Sequence, residues 1–136
     1  MPLNVLIVDD SSVMRAMIIK TIRMSGLDLG DVYQAGNGKE GLEAARENWV
    51  DLVVADINMP VMNGEEMIDQ MKADPELSAL PTIVISTEGS ATRIQRLEKK
   101  GVTFIHKPFT PEIIRDAIQE LTGITGIGDS DESGAF

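Results

Sequence analysis

The chain has 136 residues, a formal net charge of −10, 43% hydrophobic residues and no cysteine. That length supports one domain with one core, and the lack of cysteine excludes disulfides and thiolate metal sites. Acidity argues against a nucleic-acid surface, which needs Lys and Arg to neutralise phosphates. No apolar run approaches the roughly 20 residues that cross a bilayer, and no basic leader precedes the first strand, so a cytoplasmic address is expected by default.

Leu3 to Val8 is almost wholly apolar and predicts a buried parallel strand that ends in Asp9-Asp10-Ser11-Ser12. The serines suit a helix N-cap. Val13, Met14, Met17, Ile18 and Ile22 then recur at helical spacing as one inner face, and Ser25-Gly26 stops the helix. Asp31 to Ala35 predicts a weaker second strand. Asn37, with Glu40 in capping-box position, starts a second helix with Leu42 and Ala45 inward and an end near Trp49.

Leu52 to Ala55 is a short β-branched run that stops at Asp56, before a loop marked by Pro60 and Asn63-Gly64. Asn63 and Glu66 predict a capping box for a third helix whose inner face is Met67, Ile68 and Met71, closed by Asp74-Pro75. Thr82 to Ile85 predicts a fourth strand ending at Ser86. A fourth helix follows from about Ala91 to Lys100, with Gly101 as its stop. Val102 to Ile105 predicts a fifth strand ending in His106-Lys107-Pro108. Thr110 and Pro111 then start a fifth helix with Ile114, Ala117, Ile118 and Leu121 inward. Met14, Met17, Met67 and Met71 are expected to fill core space, and Lys99-Lys100 to be a solvated helix end. The lone histidine, His106, reads as a structural or surface residue rather than a phosphohistidine or metal ligand.

Five strand–helix alternations predict a parallel sheet with helices on both faces. In such a sheet the C-terminal strand ends share one edge, and with strand order 2-1-3-4-5 the ligand crevice lies between the first and third strands. Asp9, Asp10, Asp56, Ser86 and Lys107 then meet at that edge. Converging carboxylates repel one another, and a hard dication such as Mg²⁺ relieves them. A carboxylate beside such an ion, with a lysine and a hydroxyl in reach, suits phosphoryl transfer, with Asp56 as nucleophile.

Val8-Asp9-Asp10-Ser11-Ser12, Asp56-Ile57-Asn58-Met59-Pro60-Val61-Met62-Asn63-Gly64, Ile85-Ser86 and Lys107-Pro108-Phe109 together resemble the response-regulator receiver domain of two-component signalling, in particular the single-domain CheY-type regulators of chemotaxis. The resemblance covers about residues 3–122 and implies a flavodoxin-like doubly wound (βα)5 α/β fold for a receiver domain over residues 1–122; by composition, residues 123–136 read as an acidic Gly/Ser-rich tail. It implies Asp56 as the acceptor of a phosphoryl group from a sensor histidine kinase or phosphotransfer protein. Asp10, Asp56 and the main-chain carbonyl of Asn58 match Mg²⁺ ligands, and Asp9 matches the acid that holds the ion through water. Lys107 and Ser86 match the groups that bind the phosphoryl oxygens, and Phe104 matches the aromatic that turns inward as Ser86 moves. Asn58 and Glu88 match the pair that tunes self-dephosphorylation, and the bond before Pro108 is expected to be cis. Thr87 stands where the family usually has Ala or Gly, bordering the phosphoryl pocket. Phe104 replaces the commoner Tyr and lacks its hydroxyl.

The implied protein is a switch and not a metabolic enzyme. It takes up and loses its own phosphoryl group and acts on a downstream protein through the face of the fourth helix, fifth strand and fifth helix, as a monomer or weak homodimer. The alternatives are less well matched. A haloacid-dehalogenase phosphatase needs a second Asp where Asn58 stands. A flavodoxin needs phosphate-cradling loops and more aromatics. A degenerate receiver acting as a constitutive adaptor would not need the full acid set and Lys107.

Overall fold

The computed structural model describes residues 2–87 and 89–123. Its elements are β1 (Leu3–Val8), α1 (Ser12–Met24), β2 (Leu29–Ala35), α2 (Gly38–Glu47), β3 (Leu52–Ala55), α3 (Gly64–Ala73), β4 (Thr82–Ser86), α4 (Ala91–Lys99), β5 (Thr103–His106) and α5 (Pro111–Thr122). The strands form one parallel sheet in the order β2-β1-β3-β4-β5. The expected acidic tail, beyond Gly123, lies outside the described residues.

Alternation along each strand sends its side chains to two sides. Val5, Ile7, Val54, Ile83 and Ile85 pack with Ile18 and Ile22 of α1 and Ile114 and Ile118 of α5. Leu6, Val8, Val53 and Ala55 pack with Leu42 and Ala45 of α2 and Met67 and Met71 of α3. A third cluster, Ile57, Ile68, Val84, Leu97 and Val102, lies beneath α4, with Phe104 half-buried against it. Each fully buried aliphatic side chain contributes about 1.5–3 kcal/mol of burial, so the central strands are anchored on both faces.

The helix starts follow the sequence signals. Ser11, Asn37, Asn63, Ser90 and Thr110 each accept a backbone N–H as N-cap, and Asn63 with Glu66 forms a full capping box. At Asn37 the box is altered: the Glu40 carboxylate accepts from the N–H of Gly36 rather than that of Asn37.

Several expectations are corrected. Val13 and Met17 are not on the inner face: they are 74% and 53% exposed. Helical spacing put them on the apolar stripe, but α1 turns only Ile18 and Ile22 fully into the core. The second strand begins at Leu29 rather than Asp31, because Leu29 pairs with Leu3 and Asn4 Oδ1 accepts the N–H of Asp31. The second helix ends at Glu47, and Trp49 beyond it is exposed. The fifth strand is shifted by one residue and contains His106.

Candidate active site

The sheet ladder continues past the strand ends and fixes the polar residues there. The N–H of Asp9 donates to Ala35 O at 3.0 Å, that of Asp56 to Val8 O at 3.0 Å, and that of Lys107 to Ser86 O at 3.0 Å. Each bond carries the parallel ladder one residue beyond its strand, so backbone geometry, not a flexible loop, aims these side chains at one edge.

Asp9, Asp10 and Asp56 each present a carboxylate oxygen within 4.8 Å of the others. Asp9 is buried, Asp56 half-buried and Asp10 exposed. The Asp9 Oδ1 accepts from the N–H of Ser11 at 2.9 Å, whereas Oδ2 is buried with no hydrogen-bond partner among the described residues. An ionised buried oxygen without a donor is costly. Burial pushes the Asp9 carboxyl above the ordinary carboxylate value; the charges of Asp56 and Asp10 push the same way, against the Ser11 N–H and the Lys107 ammonium. Three hard oxygen donors with one orphaned buried oxygen fit a divalent cation of the magnesium class.

Opposite this cluster, Lys107 Nζ stands 3.8 Å from Asp56 Oδ2, with both side chains largely sheltered. Asp56 Oδ1 accepts from the N–H of Ile57 at 2.7 Å. One carboxylate oxygen is thus held by its own backbone while the other faces the ammonium. The Lys107–Pro108 peptide is cis.

The Asp56 loop is closed by Gly64, whose N–H donates to Ile57 O at 2.7 Å. Between them Val61 has φ +67° at the centre of a tight turn in which the Met62 N–H donates to Pro60 O at 2.7 Å. Asn58 is exposed on this loop. Ser86 is buried at the end of β4, in register with His106, while Val84 is in register with Phe104. With a period of two, Val84, Ser86, Phe104 and His106 share one face of the sheet. The Phe104 and His106 rings meet edge to face, 4.9 Å apart. Thr87 is exposed and borders a cleft of about 350 Å³ with Met14, Met17, Lys107, Pro108 and Phe109. Glu88 lies outside the described residues. A larger concavity, about 570 Å³, opens under Trp49 and Leu121 at the opposite ends of the strands, away from the carboxylates.

Two contributors were not visible in the sequence. Arg15 donates to the backbone O of Asp9 at 2.5 Å and to Gln34 Oε1 at 2.9 Å, tying α1 to the ends of β1 and β2. Its position four residues after the Ser11 cap is a signal only once the register of β2 is known. The second is Lys100: instead of a solvated helix end, it makes ion pairs with Glu65 and Asp69 of α3.

Comparison with known proteins agrees with this geometry. The response regulator receiver domain family matches residues 5–119. The chain is 36% identical over 129 residues to the chemotaxis protein CheY homolog of Campylobacter jejuni, covering 93% of this chain and 97% of that protein. It is 35% identical to the chemotaxis protein CheY1 of Helicobacter pylori, covering 89% of this chain and 98% of that one. Among solved structures, the chemotaxis protein CheY4 of Vibrio cholerae superposes with a TM-score of 0.77 at 31% identity, over 89% of this chain and 99% of that one. Among the described residues, no helix is long and apolar enough to cross a membrane. With a five-stranded sheet in the order 2-1-3-4-5 and acids at its C-terminal edge, the chain belongs to the response regulator receiver domain family, among homologues of the CheY chemotaxis regulators.

Proposed function

We propose that Asp56 accepts a phosphoryl group from a histidine kinase or phosphotransfer protein and that the acceptance switches a protein-binding face. The observation that carries this reading is the meeting of Asp9, Asp10 and Asp56 within 4.8 Å, with Lys107 Nζ 3.8 Å from Asp56. Asp56 Oδ2 attacks phosphorus, the P–N bond to the donor histidine breaks, and its electron pair returns to the imidazole. Lys107 binds a phosphoryl oxygen as negative charge gathers there. Asp9, Asp10, Asp56 and the main-chain carbonyl of Asn58 would hold Mg²⁺, which when bound offsets the charge of the carboxylates and the phosphoryl oxygens. Loss of the group is hydrolysis: water attacks phosphorus, the Asp56 carboxylate leaves and inorganic phosphate departs, with Asn58 and Glu88 tuning the approach of that water.

The switch follows from the shared face of Ser86 and Phe104. A phosphoryl group adds about −1.5 to −2 charges and three strong acceptors. Ser86 turns towards them, and Phe104, half-buried two residues before His106, moves into the space vacated. That alters the α4–β5–α5 face and shifts the population that a downstream partner binds. Contact with a cytoplasmic kinase and target, in a chemotaxis-type pathway or phosphorelay, is the setting proposed.

Transfer from a labelled, autophosphorylated histidine kinase tests this reading. Label should pass to the parent protein and not to an Asp56→Asn variant. Equal labelling of the two contradicts the assignment.

A further inference from the structure

Arg93 and Arg96 of α4 and its C-cap residue Lys100 converge on one carboxylate of α3. Arg96 grips Glu65 with two hydrogen bonds, Nε to Oε2 at 2.6 Å and a terminal guanidinium nitrogen to Oε1 at 2.9 Å. Lys100 Nζ lies 3.2 Å from Glu65 Oε2 and 2.6 Å from Asp69 Oδ1, and Arg93 Nε lies 3.8 Å from Glu65 Oε1. Positions 93, 96 and 100 share one face of a helix. Isolated exposed ion pairs contribute little. This one is bidentate, networked and sheltered, with the Glu65 side chain only 15% exposed. The Arg96 guanidinium, with Lys100, holds the Glu65 carboxyl down at about 2, so the pair stays charged at any working pH.

The position of this contact matters as much as its strength. Glu65 directly follows Gly64, whose N–H closes the Asp56 loop onto Ile57. On the other side, Leu97 of α4 sits in the cluster with Ile57, Ile68 and Val84 against which Phe104 rests. A Phe104 that moves inward changes what Leu97 packs upon, so α4 and Phe104 must rearrange together. The ion pairs resist that rearrangement from the α3 side.

We propose that Glu65 is a latch: by gripping Arg96 and Lys100 it holds α4 in the resting position and sets how readily the receiver switches on. The proposal rests on the Asp56 reading and adds to it an element that biases the two states. A latch that favours the resting state lowers the apparent affinity for any phosphoryl group by the fraction of molecules it holds back.

The test compares the parent, Glu65→Gln and Arg96→Gln, with Arg46→Gln as a control that disturbs the separate Arg46–Asp74 pair. Two quantities are read: hydrogen exchange of the amides at 94–100 without any phosphoryl group, and the beryllofluoride concentration, with Mg²⁺, that half-saturates the Ser86 and Phe104 amide shifts in NMR. Both latch variants should speed α4 exchange and lower the half-saturating concentration by about three- to tenfold, while the control changes neither. If Glu65→Gln does not fold, Arg96→Gln and Lys100→Gln carry the comparison, with faster α4 exchange and a lower half-saturating concentration expected of each. Unchanged exchange in α4, or an unchanged or raised half-saturating concentration, overturns the latch. A parent that takes up no beryllofluoride contradicts the Asp56 reading instead, and the exchange rates alone then decide whether Glu65 holds α4.

Discussion

Gly64 lies so close to Asp56 that a Cβ built on it would stand 2.2 Å from the Asp56 carbonyl oxygen and 3.0 Å from Ile57 Cα. Both contacts are with backbone, which has nowhere to retreat because the Asp56 N–H is committed to Val8 O. Gly64→Ala therefore has to push apart the acceptor loop and the start of α3. It should cost at least about 2–3 kcal/mol in chemical denaturation. A variant as stable as the parent would show that the loop yields freely.

Burial of Asp9 sets up a trade between stability and ion binding. Its folded carboxyl is raised above the ordinary value, so the folded protein holds that proton more tightly than the unfolded chain does. This contribution therefore weakens the fold as pH rises through the raised value, and vanishes below the ordinary range, where both states are protonated. Asp9→Asn should gain about 1–3 kcal/mol at pH 7 without divalent ion, and the gain should shrink towards pH 3. Added Mg²⁺ should raise the melting temperature of the parent and much less that of the variant. A variant less stable than the parent at pH 7 would contradict this account of the orphaned oxygen.

Lys107 faces Asp56 Oδ2 at 3.8 Å, where an added phosphoryl oxygen would meet its ammonium. Lys107→Met keeps most of the stem and removes the charge. Phosphorylation from a small donor, followed by stopped-time mass analysis, should slow by about 100-fold, with the magnesium-dependent rise in melting temperature retained. A rate within twofold of the parent would remove Lys107 from the chemistry.

Val61 is a β-branched residue at φ +67°, with its side chain 78% exposed. Such a sparsely populated backbone conformation costs about 1–3 kcal/mol, and exposure means that no core packing is lost on replacement. Val61→Asn should raise stability by about 1 kcal/mol in thermal melts, because Asn adopts this region readily. Val61→Gly should gain less, since glycine also loosens the unfolded chain. Destabilisation by Asn would indicate that the valine side chain makes a contact that its exposure conceals.

Asp9 and Asp56 are legible because each directly follows an apolar strand, and Lys107 because it follows His106 at the end of another; the ladder bonds at 3.0 Å carry those positions to one edge. The strand order is not in the spacing of any one segment, because the same strand–helix alternation suits more than one common doubly wound order. Met17 was misplaced because helical periodicity gives a stripe and not its width, and the flank of α1 stays in solvent. The Glu65–Arg96 pair was invisible because its partners are 31 residues apart on two helices whose relative placement only the sheet decides. Val61 ran against local propensity, and a sequence cannot announce a residue held where it is disfavoured.

The measurement that bears most directly on the central claim is intact mass after incubation with acetyl phosphate and Mg²⁺, run for the parent and for Asp56→Asn. The account predicts one phosphoryl adduct on the parent, lost on adding a chelator before the donor and absent from the variant. An adduct of equal yield on Asp56→Asn, or one indifferent to the chelator, would contradict it.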